Sequence, residues 1–155
     1  MSMDSYKRSV KLALYMVYGF SLILIAVSVA LPFIVTWYVE TRGRDQTLPA
    51  TIMLTCYPCL PFAAAILISL RRILKNVLSG LILGDKNLNL LRAVTISCFA
   101  ITAITVAAGR QYTPFYIAAA SAAAGGLTFF IVRCLFNALL QKQREKELEK
   151  IEESL

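Results

Sequence analysis

RRILKNVLSGLILGDKNLNLLR, residues 71–92, is the stretch whose reading decides the fold of this chain. It lies near the middle of 155 residues and carries five of the sixteen basic side chains. Two long uncharged apolar runs precede it and two follow. A basic, amphipathic stretch between such runs reads as an internal loop joining two helical hairpins of a membrane protein, because Lys and Arg stay on the side of insertion while apolar runs cross. Within it, Ile73, Leu74, Val77 and Leu78 recur at helical spacing on one side, with Arg72, Lys75, Asn76 and Ser79 on the other. The second helix is therefore expected to continue past its apolar run, to stop at Gly80, and to be followed by a helix capped by Asp85.

Working outward, four spans are expected, at residues 11–38, 48–70, 88–108 and 114–140, each close to or above the roughly 20 residues needed to cross a bilayer. Lys7, Arg8 and Lys11 precede the first run and Trp37 and Tyr38 close it, the placement of an interfacial aromatic belt. Ser28-Val29-Ala30 resembles a signal-peptidase site, but signal-peptide cores run to about 7–15 residues and this run stays apolar beyond it. Pro32 in the first run, and Pro58 and Pro61 in the second, each remove a backbone donor and disturb the regular bonding locally. Arg110-Gln111-Tyr112 is so short a turn that the third and fourth spans must form an antiparallel hairpin, with Thr113-Pro114 as cap and first-turn proline. In the fourth span, Ala118, Ala122, Gly125 and Gly126 are the small residues that let helices approach closely in lipid, within the bundle or between copies of the chain. The tail, residues 141–155, reads as a charged helical extension with Lys–Glu pairs three residues apart.

Composition agrees. The chain is 58% apolar with a mean hydropathy of +0.67, above the range of soluble domains. The expectation is a single all-α domain, residues 1–155: an integral membrane four-helix bundle with a cytoplasmic amphipathic connector (residues 71–87) and a helical C-terminal tail. With both termini in the cytoplasm, thirteen of the sixteen basic residues fall inside and only Arg42, Arg44 and Arg110 outside, which orients the chain N-in and C-in across the cell's inner (plasma) membrane. The net charge of +7 brackets apolar runs instead of lining a soluble face, so direct nucleic-acid binding is not expected.

Chemistry-bearing groups are few. The chain has no histidine, which removes the commonest general base and metal ligand. Its acids lie in loops or termini, away from the proton or ion pathways that intramembrane carboxylates mark. No phosphate-binding glycine loop, nucleophile–base pair or metal-ligand spacing is present, and neither a cofactor, a metal nor an enzymatic activity is expected. Cys56-Tyr57-Pro58-Cys59 is the one recognisable chemical motif, a CxxC pair able in principle to exchange a disulfide. A relay would normally add a second, loop-borne pair, whereas Cys98 and Cys134 lie singly in other spans. The bland reading is that these thiols are small apolar core residues.

Tyr57-Pro58, Arg71-Arg72-Ile73-Leu74, Gly80, Leu83, Asn87 and Leu91-Arg92 together resemble the pattern of a family of small four-helix bacterial membrane proteins catalogued as a domain of unknown function. The resemblance covers the second to fourth helices. It departs at Leu83-Gly84-Asp85-Lys86, where family members carry Phe followed by Thr or Ser and acids. Genes of that family often neighbour a short helix-turn-helix regulator. The resemblance therefore implies a non-enzymatic regulatory or scaffolding subunit, docking a cytoplasmic regulator or another membrane subunit through its charged tail and its cytoplasmic loop, with Arg71, Arg72, Lys75, Asp85, Asn87 and Arg92 as the docking residues. The alternatives are a small oligomeric transporter or pore, and a thiol redox protein using Cys56 and Cys59.

Overall fold

The computed structural model describes residues 3–42, 47–79, 84–111 and 113–152. Four helices account for nearly all of them: α1 (Met3–Arg42), α2 (Thr47–Leu78), α3 (Asp85–Gly109) and α4 (Pro114–Glu152). No strand occurs among the described residues. Each expected span lies within one helix, and the helices outrun the spans because the charged flanks are themselves good helix formers. At 40 and 39 residues, α1 and α4 are each roughly 60 Å long, about twice the thickness of a bilayer's hydrocarbon core. Pro32, Pro58 and Pro61 interrupt no helix assignment. The missing proline N–H groups leave the carbonyls of Ser28, Leu54 and Tyr57 without their usual helix donors.

The expected connector is more regular than a loop. α2 continues to Leu78, and α3 begins at Asp85, three residues before the expected span. Asp85 is not the cap: Gly84, in an extended conformation, precedes the first helical turn, and no side chain caps it. The Gly84 carbonyl instead accepts from the N–H groups of Asn87 and Leu88. Gly80, the expected stop of the second helix, and Leu83, which with it carries part of the family resemblance, lie outside the described residues.

The four helices pack in chain order, α1 on α2, α2 on α3 and α3 on α4. Among the described residues α1 and α4 make no close contact, so the bundle is open along that side. Burial follows this row. One third (33%) of the most apolar window of α3 is buried, against 6% for α1, 6% for α2 and 11% for α4. The centre of the core is therefore on α3, where Leu91, Val94 and Cys98 recur at helical spacing and Val94 is fully enclosed. Two close approaches hold α4 to α3. A Cβ on Gly126 would stand 3.2 Å from the Cys98 Cβ, and one on Gly109 would stand 2.8 Å from the Tyr116 ring. Glycine is what permits the helix backbones to come this near.

The outer surface is apolar nearly all round. Tyr15, Phe33, Leu54 and Ile117 are each at least 75% exposed, and large aliphatic side chains stand exposed along all four helices. Such a surface is unstable in water and suits the bilayer interior, where each helix satisfies its own backbone. All four helices are long and apolar enough to cross a membrane.

Candidate functional site

Because the helices alternate in direction, the N-terminal end of α1, the C-terminal end of α2, the N-terminal end of α3 and the C-terminal end of α4 gather at one end of the molecule. The opposite end, where α3 meets α4, is a tight turn carrying Arg110. The polar groups of the structure concentrate at the first end.

Three interactions organise it. Arg71 lies over the Tyr18 ring, 4.8 Å from its centroid, a cation–π contact tying α2 to α1. Asn76 Nδ2 donates to Asn87 Oδ1 at 2.6 Å, joining α2 to α3. The Arg144 guanidinium makes a forked pair with Asp85 at 2.8 and 3.1 Å, joining α3 to the extension of α4. Between α2 and α3, Arg72, Lys75, Asn76, Lys86, Asn89 and Leu90 line an open cleft of about 470 Å³. A smaller recess beside it is bounded by Gly84, Asp85 and Asn87. Among the described residues no carboxylate forms an ion pair with Arg72, Lys75 or Lys86, so the cleft presents three cations and two amides, while Asp85, paired with Arg144, lies in the adjoining recess that Lys86 also lines.

The six residues expected to form one docking patch are thus divided. Arg72 and Lys75 share the cleft, Arg71 turns to α1 and Asp85 to α4. Arg92 is exposed and stands outside the cleft lining. Asn87 is 2% exposed, so it is a fastener between helices and offers no surface to a partner. A buried amide must keep its hydrogen bond, which explains why a polar residue faces inward here. Sequence reasoning placed Asn76 on the polar side of α2 but missed its partner, and it missed Tyr18, Asn89 and Arg144 altogether. None of the three carried a local signal, because each is placed by packing between helices far apart in the chain.

Of the small residues on α4, Gly126 packs on Cys98, while Ala118 is exposed, Ala122 is half-buried and Gly125 has open space where a side chain would stand. Ala119, not singled out by spacing, is 3% exposed. Of the four expected residues Gly126 is the one buried against α3, and Ala119, seven positions earlier, joins it on the interior face.

Cys56 and Cys59 are free thiols one helical turn apart on α2, both half-buried. Cys98 faces Gly126 between α3 and α4, and Cys134 is exposed on α4, so no second thiol pair stands ready to relay electrons. Hydroxyls in the spans bond back to their own helices: Thr55 to the Thr51 carbonyl, Thr95 to Leu91, Thr102 to Cys98 and Thr105 to Ile101. Each of these bonds uses the hydroxyl proton within its own helix and leaves the oxygen able to accept.

The chain matches no family model, no curated protein and no solved structure. What the site is for must therefore be argued from its own geometry.

Proposed function

We propose that this is a multi-pass protein of the bacterial plasma membrane, with both termini in the cytoplasm, that acts without catalysis as a regulatory or scaffolding subunit. Its connector and C-terminal tail form one cytoplasmic surface for a soluble regulator or another membrane subunit. The observation that carries this reading is the Arg144–Asp85 pair, which links residues 59 apart in the chain and draws the tail against the start of α3. Tail and connector then meet a partner as a single charged face, the part of the molecule that differs most from its apolar remainder. Sidedness rests on the thirteen-to-three distribution of basic residues. The small-residue face of α4 left open at Ala118 and Gly125 is where a second copy would pack.

The test is site-specific photo-crosslinking in the native membrane from Ser79, from Lys142 and, as a control, from Arg110. A discrete adduct from the first two positions and none from Arg110 is expected. No adduct, or equal adducts at all three positions, would rule out a docking face at this end.

A further inference from the structure

We propose that the cleft between α2 and α3 is a binding site for the headgroup of an anionic phospholipid. Arg72 and Lys75 approach it from the last turns of α2, Lys86 from the first turn of α3, and the Asn76 and Asn89 amides complete the lining. Its volume of about 470 Å³ lies within the range of ligand-binding pockets, about 300–1,000 Å³. Among the described residues no carboxylate pairs with these three cations, and an oxyanion is the group that would neutralise them. Guanidinium, ammonium and amide N–H groups are also the donors that phosphate oxygens accept from.

Depth and continuity select a lipid over a free anion. The expected spans end at Leu70 on α2 and begin at Leu88 on α3. At 1.5 Å per residue Arg72, Lys75 and Lys86 stand about 3–8 Å beyond those limits, the level of the headgroup layer, which is roughly 5–8 Å thick on each face. Directly below, the same helix faces turn apolar and stay uncovered. Ile68 precedes Arg72 by four residues and Lys75 by seven, and is 53% exposed. On α3, Ala93 follows Asn89 by four residues and Ile96 by seven; Ala93 is exposed and Ile96 is 56% exposed. A phosphate in the cleft with an acyl chain along Ile68, Ala93 and Ile96 satisfies both parts, as basic pockets between membrane helices do for acidic lipids. The protein partner proposed above is not needed for this site.

The full-length protein in detergent would be titrated with phosphatidylglycerol or phosphatidylcholine, and bound lipid counted by native mass spectrometry, with thermal unfolding followed in the same samples. Preferential retention of phosphatidylglycerol is expected. Each of Arg72→Gln, Lys75→Gln and Lys86→Gln should weaken it about fivefold, the worth of one basic side chain at an anionic surface, and Arg110→Gln, at the other end, should not. Inorganic phosphate should not displace the lipid. Equal retention of the two lipids by the intact protein would overturn the proposal, and so would losses as large in Arg110→Gln as in the cleft variants. Displacement by phosphate would reassign the cleft to a free anion. If the cleft variants lose their folded transition, the preference of the intact protein decides alone.

Discussion

Gly125 and Gly126 are neighbours with opposite surroundings. A side chain at 126 meets Cys98 across the α3–α4 interface, while one at 125 meets nothing within 4 Å. Gly126→Leu is therefore expected to overpack the interface and cost about 1–3 kcal/mol, read as a fall in the thermal unfolding midpoint of detergent-solubilised protein. In the single chain Gly125→Leu should leave that midpoint unchanged or raise it, since it also removes a helix glycine, while it should block the packing of a second copy against this face. The run of small residues was legible in the sequence, but its orientation was not. Adjacent helix positions differ by about 100°, and which one faces α3 depends on where Cys98 and Phe99 stand. Asn87 teaches the same lesson. An asparagine in a basic stretch reads as surface until Asn76, on another helix, is seen to hold it inside.

At the scale of elements, the decisive feature is that α4 continues as helix to Glu152 and is pinned outside its apolar run by Arg144 to Asp85. Both side chains are well exposed, at 61% and 70%, and such a pair contributes at most about 1 kcal/mol. Arg144→Ala should accordingly barely move the unfolding midpoint. It should speed tryptic cleavage within the tail, followed by mass spectrometry over time, because the pair sets the tail's position more than the stability of the fold. An unchanged cleavage rate would mean that the tail is held by other contacts. The helical character of the tail could be read from its Lys–Glu spacing. Its docking could not, because a contact between residues 85 and 144 leaves no local pattern in a single sequence.

For the whole molecule, the open row of helices leaves α1, among the described residues, packed on α2 alone, with polar extensions at one end and a tight turn at the other. This asymmetry gives the orientation a direct test. In a variant whose four native cysteines are replaced by serine, single cysteines at Ser79 and Arg110 should react with a membrane-impermeant maleimide from opposite faces of the membrane, Ser79 from the cytoplasmic face. Labelling of both from one face would overturn the alternating topology. Labelling from the reverse faces would overturn the reading of sidedness taken from the basic residues.

The sequence by itself determined the number of helices, their apolar lengths and the concentration of charge at one end. These follow from local composition, since an uncharged run long enough to cross a bilayer has few other stable forms than a helix. Only the tertiary structure decided that the helices form an open row centred on α3, that Asn76 and Asn87 meet, that Asp85 pairs with Arg144 in place of capping its helix, and that Arg72, Lys75 and Lys86 surround one cleft. The physical reason is that lipid is as apolar as the side chains it touches, so hydrophobicity places a helix in the membrane without choosing its neighbour. That choice falls to close packing at glycines and to a few polar contacts between residues far apart in the chain.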